Sequence, residues 1–324
     1  MSVPTADSRL VTVFGGSGFV GRHVVRALAR RGFRIRNAVR RPDLAGHLQP
    51  IGRVGQIHSV QANLRYPDSI ARALDGADAA VNLVGILYET GRQRFETLHV
   101  FGAGAVAQTA REAAIRSLVQ ISAIGADRAS PSAYARTKAA GETAVRDEMP
   151  GAVILRPSIV FGPEDSFFNR FAALARVLPA LPLIGGGETR FQPVFVGDVA
   201  EAVAIAVEGG AGAGEPYELG GPEVWTFREV IRFILEVTER RRLLVPLPFA
   251  IARLEARILE LLPGPLLTLD QVRQLERDNV VSEAAVAAGR TLDGLAIRPR
   301  TVRSIVPSYL VRFRRTGRFR TDAG

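Results

Sequence analysis

The chain has 324 residues, of which 47% are hydrophobic and 23% charged, a composition typical of a globular protein with a substantial core. It contains no cysteine and only four histidines, which excludes disulfides and thiolate metal sites and argues against any metal centre. Its formal net charge of +10 favours anionic partners. The first ten residues lack the pattern of a signal peptide, and no apolar run reaches the roughly 18 residues that span a bilayer, so we expect a cytoplasmic protein.

Short β-branched runs alternate with longer helical patterns through the first half of the chain. The predicted strands are 10–14, 34–39, 57–60, 79–84, 117–122 and 152–156, and stretches such as 69–76 and 102–115 have helical spacing. This alternation predicts an α/β protein with a doubly wound parallel sheet of the Rossmann type. We expect a dinucleotide-binding domain over 1–160 whose sheet is completed by later segments, an interwoven smaller mixed lobe over 161–245, and a helical, arginine-rich region over 246–324.

The first predicted strand runs directly into a glycine-rich turn, "GGSGFVG", which opens a helix. The glycines fit two spacings, Gly16-x-Gly18-x-x-Gly21 and Gly15-x-x-Gly18-x-x-Gly21. In this context the pattern predicts a dinucleotide site, because glycine lets the backbone turn sharply, approach a pyrophosphate and pack the helix on the strand. The phosphates would lie at the positive end of the helix dipole. We assign the whole turn to the cofactor: Gly15, Gly16, Ser17, Gly18, Phe19, Val20 and Gly21.

The end of the second predicted strand distinguishes the two nicotinamide cofactors. A site for NAD(H) has an acid there to bind the ribose 2′-hydroxyl, whereas this strand ends in Arg40-Arg41-Pro42, with Asp43 displaced beyond the proline. A planar guanidinium donates paired hydrogen bonds to a phosphate. We therefore favour NADP(H), bound through Arg40 and Arg41, and keep NAD(H) as the alternative.

Tyr134 and Lys138 stand four residues apart in a stretch with a helical pattern, so their side chains are predicted to share one face of a helix. A nearby cation favours the phenolate, which suits a tyrosine to act as a general acid or base. When it follows a sheet strand in a nucleotide-binding fold, this pair is a specific catalytic pattern.

These features make the chain resemble the extended and atypical short-chain dehydrogenase/reductases over roughly residues 9–225. The resemblance rests on the glycine turn, "NLVG" after the fourth strand, the Tyr134–Lys138 pair, "RPSIVFGPED" and "QPVFVGDVA". It implies that Tyr134 donates a proton, that Lys138 also holds the nicotinamide ribose, and that Arg156-Pro157 lies near the nicotinamide. The cofactor-binding set that it implies is completed by Asn63, Leu64, Val84, Gly85, Tyr134, Lys138 and Pro157.

One position departs from that family's pattern. A Ser or Thr at the end of the fifth strand is expected to polarise the substrate oxygen, and the alignment places Ala123 there. Ser122 is one residue away, which on a strand means the opposite face, so it would serve only if the chain is bulged at this point. Ordinary carbonyl reduction is therefore not the first hypothesis for this chain.

A narrower resemblance extends to about residue 310. The runs "ISAIGAD", "YARTKAAGE", "RPSIVFGPEDSFFNRFA" and "QPVFVGDV" occur in this order, followed by a proline-punctuated helical region after "LLVPLPFAIARL". Together they are similar to the NADPH-binding accessory subunit family of respiratory complex I and its bacterial relatives. That similarity implies a retained nucleotide site without evident turnover, and docking at the membrane-adjacent part of the complex near the quinone site. Some relatives are linked instead to ubiquinone biosynthesis.

Residues 248–264 have the period of an amphipathic helix, with an apolar face formed by Ile251, Leu254, Ile258, Leu261 and Leu262. One interpretation is a helix that covers the core of the smaller lobe; the alternative is a helix that lies on a membrane surface or a partner. Eight arginines and no acid follow between positions 296 and 321: Arg298, Arg300, Arg303, Arg312, Arg314, Arg315, Arg318 and Arg320. This tail suits an anionic leaflet or an acidic protein surface, or is simply solvated, and no nucleic-acid-binding module accompanies it.

Two functional hypotheses follow. The first is an NADP(H)-binding protein with a mainly structural or regulatory nucleotide, attached as a peripheral accessory subunit, or assembly or stability factor, to the NADH:quinone oxidoreductase at the inner face of the cytoplasmic membrane. The second is an active NADP(H)-dependent reductase, dehydrogenase or epimerase on a small molecule such as a quinone precursor or a sugar nucleotide. It would use Tyr134, Lys138 and, if the chain is bulged, Ser122. Neither hypothesis includes a metal.

Overall fold

The computed structural model describes residues 9–261 and 264–315, and the chain divides into two compact units. The first unit comprises the chain up to Pro157 together with Val196–Leu219 and Ser282–Arg298. The second comprises Ser158–Phe195, Gly220–Val281 and the chain from Pro299 onward. The three successive segments expected from the sequence thus differ from this division, because later stretches of the chain return to the first unit and the C-terminal region is shared between both.

Thirteen strands lie within the described residues. They are β1 (Leu10–Phe14), β2 (Arg34–Val39), β3 (Ile57–Gln61), β4 (Ala79–Asn82), β5 (Ser117–Ile121), β6 (Val153–Pro157), β7 (Val160–Phe161), β8 (Ala180–Ile184), β9 (Arg190–Phe191), β10 (Val194–Phe195), β11 (Tyr217–Leu219), β12 (Trp225–Thr226) and β13 (Leu243–Leu247). The six strands predicted from the sequence are all present, and their ends differ from the predicted ones by at most two residues.

Eleven α-helices lie within the same residues. They are α1 (Phe19–Arg30), α2 (Pro67–Leu74), α3 (Gly102–Glu112), α4 (Ala133–Glu148), α5 (Phe167–Val177), α6 (Val196–Glu208), α7 (Phe227–Val237), α8 (Phe249–Leu259), α9 (Leu269–Leu275), α10 (Glu283–Ala287) and α11 (Val302–Leu310). A 3-10 helix follows β2 over Pro42–Ile51, and a π-helix over Glu96–Phe101 leads directly into α3.

The seven-stranded sheet of the first unit has the order β11-β6-β5-β4-β1-β2-β3, and every pair in it is parallel. The predicted doubly wound Rossmann sheet is thereby confirmed. The strand order reverses at β1, with β2 on one side and β4 on the other, and ligands of such sheets bind at the carboxyl ends of the strands near the reversal. Strand β11 is not predictable from the sequence, because its three residues are too few to carry a periodic signal.

Strand β1 is buried almost completely, as expected for a parallel strand that helices cover on both faces. Val11, Val13 and Phe14 pack into the core, and the buried hydroxyl of Thr12 donates a 2.7 Å hydrogen bond to the carbonyl oxygen of Ala73. This satisfied polar group leaves β1 as a rigid base for the glycine turn that follows it.

The second unit is built around an aromatic core with short strand pairs beside it. Its members are Phe161, Phe168, Phe191, Trp225, Phe227 and Phe233, together with aliphatic residues of α7 and α11. The Tyr309 hydroxyl on α11 donates a buried 2.6 Å hydrogen bond to a carboxylate oxygen of Asp165. The same carboxylate accepts from the backbone N–H groups of Gly162 and Phe168, so Asp165 of the "FGPED" run ties α11 to the start of α5.

Several C-terminal arginines pack within the second unit. The guanidinium of Arg300 lies 5.1 Å from the centre of the Phe195 ring, and that of Arg303 lies 4.9 Å from the Trp225 ring. Cation–π contacts of this kind stabilise a fold, so the tail is not simply solvated at these positions. Arg318 and Arg320 lie outside the described residues.

Helix α8 forms where it was predicted, but its apolar face is exposed to solvent. The relative exposures of Ile251, Leu254, Ile258 and Leu261 are 49, 61, 62 and 84%. The residues that α8 buries are Ala252 and Ala256, which pack with Ile184 and Val272. Helix α8 thus packs on a core cluster of the second unit, as one interpretation expected, but it does so through its alanine stripe and not through the predicted apolar face. Leu262 lies outside the described residues, and no helix within 9–261 and 264–315 is long and apolar enough to cross a membrane.

Candidate functional site

The glycine turn connects β1 to α1 at the reversal of the strand order. Gly15 has a φ of +81°, in the left-handed region that favours glycine. A Cβ at Gly21 would overlap the backbone of Gly15 and Gly16, so this position admits only glycine and brings α1 close against the turn. A Cβ at Gly16 would overlap the amide oxygen of Asn37 on β2. The local geometry therefore explains three of the four glycines without a ligand.

The fourth glycine is exposed and less tightly enclosed than the other three. Gly18 is the exposed N-cap of α1, and a Cβ there would meet only the carbonyl oxygen of Gly15, at 3.3 Å. No side chain caps α1, and its first turn contains no acid. Ser17, Phe19 and Val20 are half-buried around this point. A pyrophosphate fits here, since its charge would meet the positive end of the helix dipole where no side chain caps the backbone N–H groups.

The arginines after β2 lie at the same edge of the sheet as the glycine turn. Arg40 is exposed and donates a 3.0 Å hydrogen bond to the side-chain oxygen of Gln93. Arg41 pairs with Asp43 at 3.1 Å, and both side chains are more than half exposed. A site for NAD(H) presents a free acid at the end of this strand, whereas Asp43 lies beyond Pro42 and its carboxylate is paired with Arg41.

The predicted residues after β3 and β4 flank the turn in different ways. Leu64 is buried in the core, in contact distance of Gly102, while Asn63 caps the backbone N–H of Arg65 at 3.2 Å. Val84 lies directly beside Gly15, since a Cβ built on that glycine would be 3.2 Å from a Val84 methyl group.

Gly85 joins the glycine turn to the Tyr–Lys pair. A Cβ at Gly85 would be 3.3 Å from the Lys138 Nζ atom and 3.7 Å from the His99 Nε2 atom. The structure thus places Gly15, Val84, Gly85 and Lys138 in one continuous series of neighbours. These residues come from three separate stretches of the sequence.

Tyr134 and Lys138 lie on α4, as predicted, and Lys138 is buried. Its Nζ atom donates a 3.2 Å hydrogen bond to the carbonyl oxygen of Ile121 at the end of β5, and it lies 5.9 Å from the centre of the Tyr134 ring. Burial lowers the pKa of Lys138 to about 8, although Glu142 acts in the opposite direction. An ammonium group held between the sheet and α4 can orient a ribose or a phenol.

His99 was not among the residues predicted for the site, and it lies beside Tyr134. The His99 ring meets the Tyr134 ring edge-on, with 5.4 Å between centroids, and stacks on Phe95 at 5.3 Å. Its Nε2 atom accepts a 3.2 Å hydrogen bond from the Ile86 N–H, and its Nδ1 atom lies 3.1 Å from the Thr137 hydroxyl. Burial, with a contribution from the charge of Lys138, lowers the pKa of His99 to about 3, so this imidazole is neutral.

A signal for His99 does exist in the sequence. Gly141 is a glycine in the middle of a predicted helix, and such a residue often marks a close approach. In the structure a Cβ at Gly141 would overlap the carbonyl oxygen of His99. The π-helix that carries His99 therefore packs against α4 at this glycine.

The chain after β5 continues in register without a bulge. The N–H of Ser122 donates to the Leu155 carbonyl oxygen at 2.7 Å, and the N–H of Ile124 donates to that of Pro157 at 3.0 Å. Ser122 and Ile124 are buried on one face, and Ala123 is half-buried on the other. The Ser122 hydroxyl is a buried atom with no hydrogen-bond partner among the described residues. The condition under which Ser122 would serve in catalysis, a bulged chain, is not met.

Two residues at the end of β6 have separate roles. Arg156 forms two 2.7 Å hydrogen bonds to the buried carboxylate of Glu142 on α4, so its guanidinium holds the helix against the sheet. Pro157 is buried, and its carbonyl oxygen accepts from Ile124.

A surface cavity of about 580 Å³ lies along a different face of α4 from the Tyr–Lys pair. It is lined by Glu89, Phe95, Glu96, Arg128, Ala133, Arg136, Thr137 and Ala140. Because successive helical residues are about 100° apart, this face lies beside the one that carries Tyr134 and Lys138, and Phe95 contacts the Tyr134 ring at 5.9 Å. The cavity is therefore adjacent to the candidate catalytic pair and does not contain it.

Comparisons with known proteins place these observations in a family. The sequence pattern of the "NAD dependent epimerase/dehydratase family" matches residues 11–220. The protein named "NADH dehydrogenase (ubiquinone) 1 alpha subcomplex subunit 9, mitochondrial" from Arabidopsis thaliana is 35% identical over 320 residues, which cover 95% of this chain and 79% of that one. The protein of the same name from Mus musculus is 33% identical, over 84% of this chain and 73% of that one.

Two enzymes are also similar. A ceramide reductase from Caulobacter vibrioides is 35% identical over 195 residues, 60% of this chain and 60% of that one. The crystal structure of the Citrobacter sp. triphenylmethane reductase complexed with NADP(H) has a TM-score of 0.71 at 19% identity, covering 92% of this chain and 99% of that one, which shows a shared fold. Because the family pattern extends over well more than half of the sequence, the chain belongs to the NAD dependent epimerase/dehydratase family.

Proposed function

We propose that this protein is an NADP(H)-binding accessory subunit, or assembly or stability factor, of the NADH:quinone oxidoreductase. The observation that carries the proposal is the extent of the similarity to the mitochondrial subunits. The general family pattern ends at residue 220, whereas the similarity to the Arabidopsis subunit covers 95% of the chain. The region after residue 220 is thus part of what the two proteins share.

The cofactor that we propose is NADP(H) rather than NAD(H). Arg40 and Arg41 are exposed after β2, and Asp43 is already paired with Arg41. An exposed ion pair of this kind is weak because water screens the two charges, so a 2′-phosphate can displace Asp43 and take both guanidinium groups as donors. Residues of the glycine turn, with Val84 and Gly85, would hold the pyrophosphate and the nicotinamide half.

We further propose that the nucleotide is mainly structural or regulatory. When bound, a reduced nicotinamide supplies a hydride, but a carbonyl substrate also needs a donor to polarise its oxygen. The position for that donor holds Ala123, and the Ser122 hydroxyl is buried on the opposite face. Because the glycine turn is present and the group that would polarise a substrate oxygen is not, we infer that the nucleotide stabilises the fold and is not turned over.

The location that we propose is peripheral, at the inner face of the cytoplasmic membrane. Helix α8 exposes Ile251, Leu254 and Ile258, and it also exposes Arg253 and Arg257. A helix with an apolar face beside basic residues is suited to lie in the headgroup region of an anionic leaflet. This arrangement supports attachment to the membrane surface without a spanning segment.

The test uses membranes of the source cell, solubilised gently and separated on a native gel. The gel is blotted for this protein beside a stain for NADH dehydrogenase activity. Co-migration is expected for the wild type and for Tyr134→Phe. Gly18→Val is expected to lose it, because a Cβ at this position would lie 3.3 Å from the Gly15 carbonyl oxygen and the valine side chain would occupy the exposed N-terminus of α1. A wild-type protein found only in the soluble fraction would contradict the proposal.

One observation favours a second candidate, an active NADP(H)-dependent reductase, dehydrogenase or epimerase on a small molecule such as a quinone precursor or a sugar nucleotide. Tyr134 and Lys138 share a face of α4, and Lys138 is buried with a pKa lowered to about 8. In that case Tyr134 would transfer a proton to or from the substrate oxygen. Oxidation of NADPH by purified protein with a panel of carbonyl substrates, abolished by Tyr134→Phe, would establish it.

A further inference from the structure

A group of arginines in the second unit surrounds a cavity that the candidate site does not use. The cavity has a volume of about 600 Å³ and is lined by Glu239, Arg240, Arg241, Arg242 and Arg315, where α7 has ended and β13 begins. Arg176, at the end of α5, lies close enough to affect Arg240 electrostatically. We call these five arginines, with Glu239, the arginine pocket.

Backbone contacts hold two of these side chains in place. The Nε atom of Arg240 donates a 3.0 Å hydrogen bond to the Phe313 carbonyl oxygen, and that of Arg242 donates a 2.8 Å bond to the Ala175 carbonyl oxygen. A guanidinium fixed through Nε keeps terminal N–H donors in a defined orientation. The pocket therefore presents a preorganised set of donors suited to phosphate oxygens.

The pocket carries an excess of positive charge, with five arginines and one acid. Its one acid, Glu239, pairs with Arg314 at 3.2 Å, outside the five. No carboxylate within residues 9–261 and 264–315 forms a salt bridge with Arg176, Arg240 or Arg241. Burial, followed by the charges of Arg242, Arg176 and Arg315, lowers the pKa of Arg240. Repulsion of this kind is relieved when an anion binds among the arginines.

Apolar side chains are exposed next to these arginines. Val177 follows Arg176 and is 81% exposed, and Leu243 follows Arg242 and is 72% exposed. The Leu243 N–H donates to the Pro179 carbonyl oxygen at 3.3 Å, which joins the two stretches side by side, and Val245 is exposed two residues further along β13. These exposed apolar side chains would contribute nothing to the binding of a soluble anion. A lipid surface, by contrast, presents phosphates and acyl chains together.

We propose that the arginine pocket binds the phosphate groups of anionic phospholipids, with Val177, Leu243 and Val245 entering the surrounding headgroup region. This inference rests on the peripheral membrane location proposed above, and it specifies which residues bind the anionic headgroups of the leaflet. It is independent of the nucleotide and of the NADH:quinone oxidoreductase, because every residue in it lies in the second unit.

The experiment is co-sedimentation of the purified full-length protein with two kinds of vesicle, phosphatidylcholine alone and phosphatidylcholine mixed with phosphatidylglycerol. We expect the wild type to bind the mixed vesicles strongly and the neutral ones weakly. Arg240→Gln with Arg241→Gln should weaken binding to the mixed vesicles by about 25-fold, or fivefold for each arginine. The matched control is Arg26→Gln with Arg72→Gln, which removes the same charge from exposed helical positions of the first unit and should leave binding unchanged.

Three results would overturn the proposal. If the wild type and the Arg240/Arg241 variant bind equally well to the mixed vesicles, the pocket does not bind the anionic headgroups. Equal loss of binding in the control would show that only net charge matters. Release of the protein from the mixed vesicles by inorganic phosphate, added at the same concentration as the lipid phosphate, would show that the pocket is a site for soluble anions. Failure of the accessory-subunit proposal would appear separately, as loss of co-migration on the native gel with vesicle binding intact.

Discussion

The Nδ1 atom of His99 lies 3.1 Å from the hydroxyl oxygen of Thr137, although the two residues are 38 positions apart in the chain. The other ring nitrogen accepts the Ile86 N–H, so the proton of the neutral imidazole is on Nδ1 and is donated to Thr137. Thr137 in turn donates to the Ala133 carbonyl oxygen at 2.9 Å. His99 therefore connects the loop after β4 to the second turn of α4, beside Tyr134.

The buried imidazole predicts a dependence of stability on pH. The pKa of His99 is about 3 in the folded protein against about 6.5 in the unfolded chain, so between these values only the unfolded chain takes up the proton. The free energy of unfolding should therefore fall as the pH falls from 6.5 towards 3, by at most about 1.4 kcal/mol per pH unit from this residue. Urea unfolding of the wild type and His99→Gln at pH 7 and pH 5 measures the difference.

The matched control for this measurement is His58→Gln, since His58 is exposed on β3. If the wild type and His99→Gln lose the same amount of stability between the two pH values, His99 is not held in its neutral form by the fold.

The ammonium group of Lys138 is expected to destabilise the protein when no nucleotide is bound. Its pKa is about 8 in the fold and about 10.5 in the unfolded chain, so the free energy of unfolding rises with pH between these values. We expect Lys138→Met to be more stable than the wild type by about 1–3 kcal/mol at pH 7, an advantage that shrinks between pH 8 and pH 10.5. Thermal unfolding at pH 7 and pH 10 tests this. An advantage of the same size at both pH values would contradict the assignment.

Gly141 predicts an exception to helix propensity. Replacing a helical glycine with alanine normally stabilises a helix by about 1 kcal/mol, but a Cβ here would overlap the carbonyl oxygen of His99. We expect Gly141→Ala to lower the free energy of unfolding by about 1–3 kcal/mol, because the backbone of α4 or of the π-helix that carries His99 must shift. The control is Gly46→Ala, where a Cβ would meet nothing within 4 Å. Chemical denaturation of both variants provides the comparison. If Gly141→Ala raises the free energy of unfolding, the two helices can move apart at this contact at little cost.

The arginines after β2 predict cofactor discrimination. Arg40→Ala with Arg41→Ala should weaken binding of NADPH by about tenfold or more, because two charge-assisted hydrogen bonds to the 2′-phosphate are lost, and should leave NADH almost unaffected. Arg34→Ala is the control, since Arg34 is exposed at the opposite end of the same strand. Isothermal titration calorimetry with both cofactors distinguishes the outcomes. Equal weakening for NADPH and NADH would contradict a role for this pair in reading the phosphate.

Much of the first unit could be predicted because its signals are local. Strands β1 to β6 are short stretches rich in apolar and β-branched residues, and Gly15 and Gly21 of the turn after β1 are needed for reasons of backbone geometry within a few residues. The spacing of Tyr134 and Lys138 likewise depends only on the helical period. Residues close together in the chain determine these features, so they can be predicted from the sequence without the tertiary structure.

The remaining features depend on which distant elements meet. The three-residue strand β11 exists because β6 offers it an edge, and His99 is placed by its contact with Gly141 on α4. Periodicity correctly gave α8 an apolar face, but only the tertiary structure decided that Ala252 and Ala256 make the buried contact while Leu254 and Ile258 face solvent. The physical reason is that a helical period fixes which side chains share a face, whereas burial depends on the surface that the rest of the chain presents to it.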